Sequence, residues 1–175
     1  RMMFTLGMYG DGDFFDMKGV VEEFLDKVGM DKKKDYDPKA GKNFLHPGRQ
    51  ALIRYEGEEI GYLGEVHPQV ADNYGIGTRV YVAVLDILQV VKFATYDRKY
   101  EGIARFPSVN RDISMVVPKD IMVGDIEKMI AQRGGKILEH YELFDIYEGD
   151  QIQAGYKSVA YSITFRSKEK TLGEA

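Results

Sequence analysis

The sequence predicts an α+β chain built as two modules, and three observations predict it. In the first half, one stretch of helical period sits among several stretches of strand period. Between Phe93 and Val109 that pattern lapses into Tyr, charged residues, Gly102 and Pro107, as at a connection between domains. The remainder then runs in its own order, β-α-β-β. The expected division is therefore 1–93 and 94–175. With 175 residues, 44% hydrophobic and 30% charged, the chain has the material to bury a core.

Each element follows from its own pattern. Met3 to Tyr9 is rich in bulky residues and reads as a strand. Asp13 to Val28 places Phe14, Met17, Val21, Phe24 and Val28 on one helical face. Asp13 suits the N-cap of that helix and Gly29 the position just past its end. Asp31 to Lys42 is charged, carries Pro38 and Gly41, and reads as a loop or an edge strand. Ala51–Tyr55 and Ile60–Val66 then flank Glu56-Gly57-Glu58-Glu59 as a hairpin. Gly61 and Gly64 within its second strand predict a close approach of another chain segment. Pro68 can open a short helix that Gly75 closes. Val80 to Leu88 is almost continuously apolar, as a strand deep in a sheet would be.

In the second half, Arg111 to Val117 reads as a strand ended by Pro118. Val123 to Arg133 reads as a helix with Ile126, Met129 and Ile130 inward, stopped by Gly134-Gly135. Ile137 to Tyr147 and Lys157 to Arg166 are two further strands. A ferredoxin-like sandwich has this order and continues with a second helix and a fourth strand. Thr171 would cap that helix, and both ends of the chain read as cut from something longer.

Composition narrows the function classes. There is no Cys, so disulfides, zinc–thiolate sites and thiol nucleophiles are excluded. No apolar run approaches the ~20 residues that cross a bilayer as a helix, so no membrane role is expected. With 24 basic against 28 acidic residues the net charge is −4, so nucleic-acid binding would need a local patch. No P-loop, dinucleotide fingerprint or nucleophile elbow is present. Asp11, Asp13 and Asp16 lack the Gly and Glu of a calcium loop. His46 and His67, with Glu65, offer a possible metal-ligand set for a hydrolase. Each of these histidines also precedes a Pro, which favours a structural corner. No catalytic centre emerges.

Lys157 to Arg166 alternates strongly. Val159, Tyr161, Ile163 and Phe165 share one face, which should meet the helix; Ser158, Ala160, Ser162 and Thr164 share the other. The second face is either a solvated sheet surface or a flat platform for a partner. Lys157, Arg166, Lys168 and Lys170 against the single acid Glu169 make a basic strip beside it, with Arg105 and Arg111 framing the first strand of this half.

These segments carry a resemblance. Asp13-Phe14-Phe15-Asp16-Met17-Lys18-Gly19, Leu45-His46-Pro47-Gly48-Arg49 and Ile60 to Pro68 are its marks in the first half. Arg105 to Ile113, Leu143 to Gly149 and Lys157 to Arg166 are its marks in the second. In this order and spacing they resemble the C-terminal portion of the β subunit of bacterial phenylalanine–tRNA ligase. The resemblance implies a class II synthetase-like antiparallel module over 1–93, without the aminoacylation centre. Over 94–175 it implies a ferredoxin-fold anticodon-binding domain that lacks its last helix and strand. It further implies a cytoplasmic enzyme of two α and two β subunits, using ATP and magnesium outside this segment. The implied partners are phenylalanine tRNA and the α subunit. Candidate tRNA contacts are Arg105, Arg111, Lys157, Arg166, Lys168 and Lys170, with Tyr161 as a stacking surface if exposed. An amino-acid-sensing regulatory module is the alternative for a ferredoxin-like domain.

Overall fold

A computed structural model gives the fold and describes residues 2–30, 33–97 and 104–173. The chain divides into two compact units, Arg1–Lys99 and Tyr100–Ala175. The middle of the expected connection, residues 98–103, lies outside the described residues.

The first unit is an antiparallel five-stranded sheet in the order β1-β5-β4-β3-β2. Its strands are β1 (Met3–Tyr9), β2 (Lys34–Asp37), β3 (Leu45–Tyr55), β4 (Glu58–Val66) and β5 (Val80–Asp86). Helix α1 (Phe14–Lys27) lies across β4 and β5. It starts where expected, because Asp13 accepts from the backbone of Phe15 and Asp16 while the Asp16 side chain returns the bond to Asp13. Met17, Val21 and Leu25 are its buried residues, and they join Ile53, Ile60, Leu63, Ala83 and Leu85 in one core. Helix α2 (Pro68–Asn73) sits between β4 and β5 in sequence, with Gly75 at φ 68° just past its end.

Two expectations for this unit are revised. The hairpin turn is only Glu56-Gly57, with φ of 50° and 84°, so the strands run closer to the turn than their apolar pattern suggests. The apolar run from Val80 is not one strand: Asp86 accepts from the Leu88 N–H and starts helix α3 (Ile87–Phe93). A cap residue inside the run outweighs its strand-like composition. The two strand glycines behave as anticipated. A Cβ on Gly61 would stand 2.3 Å from the Val84 carbonyl oxygen, and one on Gly64 2.8 Å from that of Arg49.

The second unit is a three-stranded antiparallel sheet in the order β6-β8-β7 with one helix. Its elements are β6 (Val109–Pro118), α4 (Val123–Gly134), β7 (Leu138–Tyr147) and β8 (Tyr156–Phe165), with a 3₁₀ turn at Gly135–Ile137. Ile126, Val159, Tyr161 and Ile163 form its buried core, with Val123, Ile130 and Leu143 packed around them. Met129 departs from expectation. It is 63% exposed, on the flank of the helical face that Ile126 and Ile130 turn to the core. No helix of the described residues is long and apolar enough to cross a membrane.

Candidate nucleic-acid interface

The central strand of the second unit has two unlike faces, and the register shows what each presents. Val159 pairs with Met115 and Ile146, Tyr161 with Ile113 and Leu143, and Ile163 with Arg111 and Tyr141. Directly paired residues of antiparallel strands point to the same side. That side carries the core cluster with α4. The opposite side presents Ser158, Ala160, Ser162 and Thr164 from β8. It adds Asn110, Asp112, Ser114 and Val116 from β6, and His140, Glu142, Asp145 and Tyr147 from β7. Ser114 and Ser158 share a hydroxyl–hydroxyl hydrogen bond of 3.2 Å across β6 and β8. Along its central strand this open face is built of small side chains.

The seven candidate contacts do not gather there. Tyr161 is fully buried, and its hydroxyl donates to the Val123 carbonyl at 3.4 Å. Burial, reinforced by the Glu127 carboxylate, pushes its phenol well above the usual tyrosine range. It is a core residue and offers no ring for a base to stack on. Lys157 is also withdrawn: it lies on the helix side and its ammonium donates to the Lys119 carbonyl at 3.1 Å. Its odd position in the alternation, in step with Val159, already carried that signal. Arg111 is exposed but shares the side of Ile163, away from the platform.

Arg166 lies past the end of β8, where its side chain is committed to protein. Its Nε meets Glu139 at 2.9 Å and its guanidinium donates to the Phe106 carbonyl at 3.0 Å. It ties β7 to the segment that enters β6. The strand stops at Phe165, and Ser167 then accepts from the backbone of Glu169 and Lys170, so the chain turns. Arg105, Lys168 and Lys170 remain as exposed cations. All three lie near the same end of the sheet, because Val109, the first residue of β6, pairs with Phe165, the last of β8.

The other end of the open face is aromatic. Tyr147, the last residue of β7, pairs with Ser158 and is 41% exposed. Ser158 and Phe165 are seven residue steps apart along β8, roughly 23 Å at the rise of a strand. Between the ends lie Asp112, Glu142 and Asp145, so the middle of the face is acidic rather than basic. Sequence reading missed Tyr147 because β8 alone was read as the platform; only the register across three strands brings Tyr147 to it.

In the first unit the motif residues make contacts within the fold. His46 Nδ1 accepts from the Gly48 N–H at 3.1 Å, and His67 Nδ1 from the Gln69 N–H at 3.3 Å at the start of α2. Arg49 Nε meets the buried Glu65 carboxylate at 2.6 Å, clamping β3 to β4 where their register shifts between Leu45 and Gln50. Burial and that carboxylate also raise the pKa of the Tyr81 phenol. Among the described residues, no group of three or more His, Asp or Glu stands close enough to hold a metal ion.

Two family models match this chain. Residues 3–87 match the phenylalanyl tRNA synthetase beta chain CLM domain, and residues 104–175 the ferredoxin-fold anticodon binding domain. The chain belongs to the phenylalanine–tRNA ligase β-subunit family. It is 44% identical to the β subunit of Clostridium acetobutylicum over 98% of its own length and 22% of that relative. With the β subunit of Clostridium tetani it shares 40% identity over 100% of this chain and 22% of the relative. With that of Listeria monocytogenes it shares 40% over 93% and 20%. The chain thus spans about a fifth of the length of the curated relatives it matches. The second unit has the ferredoxin-type fold, and the amino-acid-sensing alternative is not favoured.

Proposed function

We propose that this chain supplies the anticodon-reading portion of a phenylalanine–tRNA ligase, with unpaired bases of the anticodon loop of phenylalanine tRNA lying on the open sheet face of the second unit. The match of 104–175 to an anticodon-binding family, on a unit with one small-residue face left uncovered, carries the reading. Asp112, Glu142 and Asp145 repel phosphates from the middle of that face, so the strand crosses it bases inward. Arg105, Lys168 and Lys170 meet phosphates at the rim, and Tyr147 gives a π-face at the far end.

The first unit serves as scaffold against the α subunit. Its polar motif residues are spent on its own fold, and no phosphate-cradling loop is present in the sequence. The family resemblance implies that the aminoacylation centre belongs to the α subunit and that ATP and magnesium act outside this segment, in a cytoplasmic assembly of two α and two β chains.

The test uses the complete two-subunit enzyme carrying Tyr147→Ala. Loss of one stacked base should weaken binding of phenylalanine tRNA by about 5- to 150-fold, the equivalent of ~1–3 kcal/mol. Phenylalanine activation, followed by pyrophosphate exchange, should stay at the wild-type rate. Wild-type tRNA affinity would remove Tyr147 from the interface.

A further inference from the structure

The Tyr147 ring does not stand free on the open face. It leans back over the loop that follows β7, onto Gly149. A Cβ placed on Gly149 would lie 2.3 Å from the Tyr147 hydroxyl oxygen, 2.6 Å from Cζ and 3.2 Å from Cε1. The outer end of the ring therefore occupies the space that any other side chain would fill. The loop beneath is itself pinned. Glu148 meets Lys119 at 2.7 Å, the Ile152 N–H donates to the Gly149 carbonyl at 3.0 Å, and the Lys119 N–H donates to the Gly155 carbonyl at 3.0 Å.

Gly149 is not required by its own backbone, for it is absent from the residues of positive φ among those described. Nor does backbone of another strand crowd it, since all three of its nearest neighbours are atoms of the Tyr147 side chain. A methyl group there costs the fold little, because the end of a flexible side chain can swing aside. What it changes is where the ring lies.

We propose that Gly149 is a positioning residue for RNA recognition: its missing side chain seats the Tyr147 ring in the pose in which it receives a nucleobase. This rests on the reading of Tyr147 as a stacking surface. It also gives a reason for Gly at the close of the Leu143–Gly149 motif, which the fold alone does not demand.

The experiment is a double-mutant cycle in the complete enzyme, with the dissociation constant of phenylalanine tRNA measured for wild type, Tyr147→Ala, Gly149→Ala and the pair. Gly149→Ala should weaken binding by about three- to tenfold, part of the loss of a whole stacked base. It should leave the melting temperature and phenylalanine activation unchanged, and add nothing in the Tyr147→Ala background. Tyr147→Phe, which lacks the atom nearest the added methyl, should recover part of the loss when combined with Gly149→Ala. If Tyr147→Ala weakens binding but Gly149→Ala does not, the positioning role is wrong and the interface stands. An equal loss in both backgrounds, or a melting temperature lowered by Gly149→Ala, overturns it as well. If Tyr147→Ala itself binds normally, the interface reading fails first.

Discussion

The two sheets of this chain are built alike and filled differently. Each is antiparallel with a helix on one side. Among the described residues of the first unit, twelve buried ones form a continuous core between α1, α3 and the sheet. In the second, four residues do that work. Even on its helix side the second sheet leaves Ile113 42% and Ile146 46% exposed. Its opposite side is lined mostly by serines, a threonine and carboxylates, with Ala160, Val116 and Tyr147 among them. On the reading proposed above, the first sheet holds its shape on large side chains, and the second keeps its central strand small to receive a flat partner. The first unit reads as scaffold and the second as a surface with a thin support.

Because that support is thin, its loss should be the largest effect. Tyr161→Ala removes the largest fully buried side chain of the second unit and should cost about 3–5 kcal/mol. Calorimetry should show the second unit's unfolding lowered and the first unit's unmoved. Next comes a contrast between glycines. Gly61→Ala drives a methyl into the Val84 carbonyl oxygen, 2.3 Å away, and backbone cannot step aside. It should cost about 1–3 kcal/mol or more by denaturant melting. Gly149→Ala, facing only a side-chain end, should be nearly neutral in the same assay.

Smaller still is Arg166→Ala, which releases both Glu139 and the Phe106 carbonyl. On a partly exposed side chain, about 1 kcal/mol of stability should be lost. Its effect on tRNA binding should follow that loosening rather than a missing phosphate contact. The smallest effect is that of Lys119 on Glu148. Hydrogen bonding and charge from Lys119 hold the Glu148 carboxyl below its ordinary 4.5. A depressed carboxylate contributes stability above its unfolded pKa and loses it as pH falls through the folded one. Lys119→Ala should therefore lower the melting temperature slightly at neutral pH and not at all in strong acid.

Much of this fold was legible from local chemistry. Asp13 and Asp16 wrote the start of α1, and Gly61 and Gly64 foretold the close approach in β4. Helix α3 was hidden because Ile87, Leu88, Val90 and Val91 look like more strand, and only Asp86 marked the change. The interface was legible in part. The alternation of β8 correctly separated its core face from its small face. It could not show Tyr147 or the acidic middle, since these arrive from other strands through register and a bulge. Charge counting grouped Lys157, Arg166, Lys168 and Lys170 as one strip. The fold buries the first, pairs the second and leaves the last two in solvent.

The central claim is that bases cross the face while phosphates keep to the rim, and salt dependence separates the two. The measurement is the affinity of the complete enzyme for phenylalanine tRNA across a range of salt, for wild type, Tyr147→Ala and Lys168→Ala/Lys170→Ala. Each lost phosphate contact should flatten the plot of log affinity against log salt by roughly 0.7–0.9. The lysine pair should therefore bring a change of about 1.4–1.8, twice the single-contact value. Tyr147→Ala should lower affinity at every salt concentration and leave the slope unchanged. A lysine pair with the wild-type slope, or a tyrosine variant whose loss disappears as salt rises, would contradict this account.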